Sequence, residues 1–304
     1  MSESATTSKR AEPTLPLPHG VPTEGRAEAE ELAGSPVEWE LRMDRGAAVV
    51  WRVSGPRGQW TVKVGRGEGA AVVAREGVVL ERTHATVPAM SYGKQTTTGR
   101  DEASAWLITP WLDGPSTWDQ FRAVRDGKRD SSPALAAADL CVAVGAMHQS
   151  GWVHGDVQPH HAIHMPDGVR LTDCSWAWSM NLPPSNAYEG GLLHLMSPEL
   201  MTQAESASRP VVTSQPDEVY ALAAGLWWAA TGTWPLDYAQ VGIDPDRFTA
   251  VEMRRILRRH RVPIGRIPHW PELEQVLRPT ITADSHRRPS ALHLGQWLRG
   301  IARM

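Results

Sequence analysis

The chain has 304 residues and a net charge of −3, with apolar residues at 41% and charged residues at 21%. This is the balance of an ordinary globular protein, long enough for one large domain or two parts sharing a core, and it excludes fibrous and wholly disordered chains. Lys and Arg are interspersed with Asp and Glu, so no long basic run points to nucleic acid. Cys141 and Cys174 are too few for a disulfide framework and predict a reducing, cytoplasmic setting. No signal-peptide core opens the chain, and the longest apolar run, Val219 to Trp234, is shorter than a bilayer crossing and broken by Gly225, Thr231 and Gly232. A buried helix is expected there, and no membrane partner.

Residues 1–35 are rich in Ser, Thr, Glu, Ala and Pro with few large apolar side chains, which predicts a disordered tail. From Val37 the segments VEWELRM, AAVVWRV and QWTVKV, separated by Asp44-Arg45-Gly46 and Ser54-Gly55-Pro56, predict a three-stranded antiparallel meander. Val72, Val73, Val78, Val79 and Leu80 then recur at helical spacing. Residues 105–109 form a short apolar strand, and the Pro/Gly-rich stretch 110–115 marks a boundary between a first part, 36–110, and a second, 111–304. Residues 134–149 predict an Ala-rich helix, and 162–164 with 169–172 a hairpin turning at Pro166-Asp167-Gly168. Further helices are expected over 218–231, 246–260, 271–277 and 290–302.

The chemistry concentrates around that hairpin. Asp156, in WVHGDVQPHHAI, lies in the loop between the Ala-rich helix and the hairpin, and Asp173 directly follows the second hairpin strand. Two carboxylates reach neighbouring strand ends, so one can orient a hydroxyl while the other holds a divalent cation, a division that phosphoryl transfer requires. Lys63 alternates with Val62 and Val64, which fits either a solvent-facing strand lysine or a phosphate-binding one. His160, His161 and His164 cluster locally, but strand alternation would separate them and no Cys lies close by, which disfavours zinc.

In this order the landmarks resemble those of protein kinases over nearly all of the chain after the tail. The resemblance implies an α+β, bilobal protein kinase-like fold, with a small antiparallel β lobe plus one helix and a larger, mainly helical lobe. It implies that Lys63 grips the α and β phosphates of ATP, paired with Glu76 or with its competitor Glu81. Gly46 then belongs to the loop over the phosphates, Asp156 is the catalytic-loop carboxylate, and Asp173 holds Mg²⁺ or Mn²⁺ together with His161, which stands in the place of an Asn. Ser197-Pro198-Glu199 resembles the Ala-Pro-Glu that closes an activation segment, and Arg288 its ion-pair partner. Glu218, or Asp217 through a shift, takes the place of a buried helix Asp.

Departures shape the functional expectation. Gly46 is one glycine where the family has three, Gln158 replaces a Lys, Gly155 an Arg, and Cys174-Ser175 a Phe-Gly. Three readings follow. The first is an ATP-dependent phosphotransferase acting on Ser or Thr of a peptide or protein, of the kind found in modified-peptide biosynthesis, where a partner biosynthetic enzyme acts on the product. The second is a pseudokinase serving as a peptide- or partner-binding scaffold, and the third an aminoglycoside-type small-molecule phosphotransferase, which the form His154-Gly155-Asp156 resembles.

Overall fold

The computed structural model describes residues 18–45, 47–128, 130–206, 208–259 and 262–303. In chain order the first part contains α1 (Thr23–Ala33), β1 (Glu38–Arg45), β2 (Ala48–Gly55), β3 (Gly58–Arg66), α2 (Glu68–Thr83), β4 (Thr97–Arg100) and β5 (Ser104–Pro110). Its strands form one antiparallel sheet in the order β1-β2-β3-β5-β4. The architecture is therefore α+β around an antiparallel sheet.

Strand alternation gives the sheet two different faces. Register aligns Val50 with Lys63 and Lys63 with Leu107, whereas Val49 aligns with Val64 and Val64 with Trp106. The Lys63 face turns toward α2, whose Glu76 side chain it meets. The Val64 face packs Val53, Val62, Trp106 and Ile108 against Ala29 and Ala33 of α1.

That packing corrects the expected disordered tail: residues 23–33 are a helix, and Ala29 and Ala33 are fully buried. A Cβ on Gly25 would lie 2.9 Å from the Trp106 ring, and Trp106 donates its Nε1–H to Glu28 at 3.0 Å. The helix lies directly on the sheet because its contact residues are small, and those residues are why it lacks the large apolar side chains by which a packed helix is read. Residues 1–17 lie outside the described residues. The edge strand β4 was not foreseen either, since Thr-Thr-Gly-Arg is too short and too polar to show alternation.

The second part contains α3 (Thr117–Gln120), α4 (Arg122–Arg125), α5 (Pro133–Gln149), β6 (Trp152–Val153), β7 (Ala162–Met165), β8 (Gly168–Leu171) and β9 (Trp178–Ser179). They are followed by α6 (Pro198–Glu205), α7 (Gln215–Thr231), α8 (Ala250–Arg259), α9 (Pro271–Thr282) and α10 (Ala291–Ile301). A capping box of Ser214 and Asp217 starts α7, and Gly232 in the left-handed region ends it. Between those ends α7 is buried nearly all round, with Trp227 at its centre. Small residues let α5 and α10 approach closely: a Cβ on Gly295 would sit 3.1 Å from the Ala138 carbonyl oxygen. Helix α8 starts later than expected because Asp244 caps a short turn over Pro245–Arg247 ahead of it. No helix among the described residues is long and apolar enough to cross a membrane.

Candidate functional site

Between the sheet and the helical part lies a cleft of about 390 Å³, within the range of small-molecule sites. Val50, Lys63 and Leu107 line it from the sheet, Pro110, Trp111 and Leu112 from the connecting strand end, and Thr172 and Asp173 from beyond the hairpin.

Lys63 is the hub of its floor. Its Nζ donates to Glu76 Oε2 at 2.6 Å and also to Asp173 Oδ1. Glu81, the competing partner, is exposed on the other side of the helix. Burial by itself would depress the Lys63 ammonium, but the two carboxylates outweigh it and hold the group well above its ordinary value. Burial likewise acts against the Asp173 carboxylate, and Lys63 beside it holds that carboxyl well below its ordinary range. Glu76 is almost wholly enclosed, and burial pushes its carboxyl up against the pull of Lys63.

Asp173 is the single non-glycine residue with positive φ among those described, at φ 56° and ψ 45°. A side chain in that region costs on the order of 1–2 kcal/mol. The twist directs one oxygen to Lys63 and leaves the other 3.4 Å from His161 Nε2. The ring of His161 also faces the Asp156 backbone carbonyl through Nδ1 at 2.9 Å, and the Asp156 carboxylate lies 3.7 Å from the same nitrogen. His161 thus stands between the two carboxylates. Cys174, next in the chain, is buried and its thiol is pushed up by burial, so it is no nucleophile.

The Asp156 loop is held from several directions. Gln158 donates its amide to Asp156 Oδ1 at 2.8 Å. His154 is fully buried, its Nε2–H donates to the Thr172 carbonyl at 3.1 Å, and burial pulls its pKa below the ordinary value. Glu218 accepts the Gly155 N–H at 2.6 Å and holds His148 at 2.7 Å, whereas Asp217 caps α7 and binds Ser197. Of the two acids, Glu218 therefore reaches the loop. Gly155 has φ 85°, and a Cβ there would lie 2.7 Å from the Trp176 carbonyl oxygen, so a larger residue would displace the loop.

Tyr188 and Thr213 complete the support and were not foreseen. Tyr188 is buried, donates to the Gly155 carbonyl at 2.6 Å and accepts from Thr213 at 2.7 Å. A single Tyr in the polar stretch 184–191 carries no periodic signal. After it, Gly190 and Gly191 both take positive φ, and a Cβ on Gly191 would come within 3.0 Å of Asp156 Oδ1.

Elsewhere, Arg288 and Glu199 form an ion pair at 2.8 Å that ties α6 to the segment before α10. The three neighbouring histidines diverge: His160 stacks on Trp118, and His164 meets Thr117 Oγ1 at 2.8 Å. Among the described residues no three His, Cys, Asp or Glu side chains gather around one point. Asp173 and His161 are two donors, a number that suits a cation completed by phosphates and water. Gly46, expected over the phosphates, lies outside the described residues. Comparison with known protein families and with curated proteins gave no match to this chain.

Proposed function

We propose that the protein is an ATP-dependent phosphotransferase of protein kinase-like fold, with sheet and helical parts as its two lobes, acting on a Ser or Thr hydroxyl of a peptide or protein. The observation that carries this reading is the junction of Lys63, Glu76 and Asp173 on the floor of the cleft. Scaffolding alone needs no such buried Lys63–Glu76 pair.

In this reading Lys63, fixed by Glu76, binds the α and β phosphates as a point charge, while the cleft walls hold the base. Asp156 receives the acceptor hydroxyl, and Gln158 fixes its carboxylate. The acceptor oxygen bonds to the γ-phosphorus, the bridging P–O bond to ADP breaks with its electron pair leaving on ADP, and the hydroxyl proton passes to Asp156. Asp173 and His161 would hold Mg²⁺ or Mn²⁺, which when bound neutralises phosphate charge.

The test is transfer of the γ-phosphate to candidate peptides with Mg²⁺ or Mn²⁺, using wild type and Asp156→Asn. Transfer is expected, with a loss of about 10²-fold or more in the variant. One observation favours a pseudokinase instead: the chain at Gly191 packs so closely on Asp156 that a Cβ there would lie 3.0 Å from its Oδ1. Nucleotide binding without Asp156-dependent transfer would establish that alternative.

A further inference from the structure

The charges are interspersed along the chain as a whole, but residues 247–261 depart from that pattern with six arginines and a single acid, Glu252. Helix α8 runs through this segment. It buries Met253, with Ile256 and Leu257 beside it, in a satellite core that includes Leu200 and Ala204 of α6. Where the end of α6 faces α8 a second cavity opens, about 630 Å³ in volume and therefore larger than the cleft.

Arg209, Arg254 and Arg255 line it together with Val251 and Ser206. The Nε of Arg254 is buried with no hydrogen-bond partner, an arrangement that a charge-assisted acceptor would satisfy. Arg209 is steadied on the lip by the Ser206 and Ser208 carbonyls, both at 3.0 Å. Neither nearby acid supplies the missing acceptor. Glu252 accepts from Thr249 N and Oγ1 at 2.8 and 2.7 Å and so closes the start of α8, and Glu205, the one acid in the lining, has a partner of its own while its Oε1 makes no hydrogen bond to Arg254. Val251, which lines the cavity beside the arginines, is 46% exposed.

We propose that this cavity docks an acidic peptide segment, its carboxylates bidentate on Arg209, Arg254 and Arg255 and an apolar side chain lying on Val251. One feature favours a peptide over a nucleic acid: Val251, an exposed apolar side chain, borders the arginines where a peptide side chain can pack and a phosphate backbone cannot. Helix α6 starts at Pro198 and has eight residues, about 12 Å, so the cavity stands roughly one short helix from the segment that follows Gly191. Given the phosphotransferase reading, the docked segment is sequence flanking the acceptor hydroxyl, held apart from the chemistry. Docking itself needs neither nucleotide nor Asp156.

The experiment is fluorescence anisotropy of a labelled Glu-rich peptide carrying Leu and Phe, without ATP, against wild type and Asp156→Asn. Both should bind equally, more weakly as salt rises, and Arg254→Glu/Arg255→Glu should raise Kd roughly tenfold or more. Arg209→Glu/Arg255→Glu alters exposed positions only and repeats the test should the first variant fail to fold. No binding, binding unchanged in the variants, or equal binding of a Lys-rich peptide or of a single-stranded RNA of similar length would overturn the proposal. Because the readout is equilibrium binding in a chain lacking Asp156, failure of the docking site and failure of phosphate transfer are distinguishable.

Discussion

Lys63 and Glu76 form an enclosed ion pair on the floor of the cleft, and their balance makes a prediction at the scale of single residues. Glu76 is nearly buried and relies on the Lys63 ammonium 2.6 Å away. Removing that ammonium in Lys63→Met strands a carboxylate in a low-dielectric site, at a cost of about 3 kcal/mol. Burial raises the Glu76 pKa, so the stranded group can escape by taking a proton. The loss should therefore be smaller near pH 5 and grow as pH rises, and Lys63→Met/Glu76→Leu should recover most of it. Urea unfolding of both variants at two pH values checks this. A loss independent of pH would mean that packing of the lysine stem, and not its charge, is what Met fails to replace.

Among the elements, α1 has the most to lose from a small change. Ala29 touches a sheet face of Val53, Val62 and Ile108, all fully buried. Ala29→Asp would press an unpaired carboxylate onto that face, and a destabilisation of about 3 kcal/mol is expected. The same change at Glu31, exposed on the helix, should cost almost nothing. Thermal unfolding of the two variants separates loss of the helix from loss of its contact. The tryptophans act at this scale as well. Trp118, Trp228 and Trp234 stack with His160 and His194 in one continuous row of rings from α3 across α7, with centroids 4.2–5.2 Å apart. These three of the chain's 14 tryptophans serve as packing between elements.

Over the whole molecule, acid stability rests on histidines that folding keeps neutral. Burial lowers the pKa of His154, His160 and His164, and that of His194 to about 4, from an ordinary 6.5. Each binds a proton more readily unfolded, so the stability it lends is complete above pH 6.5 and is lost as pH falls toward 4. Asp173 and Lys63 do not contribute to that window: the first loses its contribution only below its ordinary carboxyl range, the second only above pH 10.5. Tm should fall steeply between pH 6.5 and 4, and His194→Gln should flatten part of the decline. An unchanged slope in that variant would place the acid sensitivity elsewhere.

Local pattern by itself determined the meander β1–β3, the helices α2, α5 and α7, and the β7–β8 hairpin, because alternation, helical spacing and turn residues are properties of neighbours in the chain. It also delivered Asp156 and Asp173 to adjacent strand ends, since a hairpin of known length leaves little choice. Only the tertiary structure decided that Glu76, not Glu81, meets Lys63 and that Glu218, not Asp217, holds Gly155. The same holds for Tyr188 bracing the Asp156 loop and for residues 23–33 covering a sheet. Those are through-space pairings between residues 13 or more positions apart, and α1 in particular announces itself by small side chains, which fit closely against Trp106 but leave no apolar stripe to read.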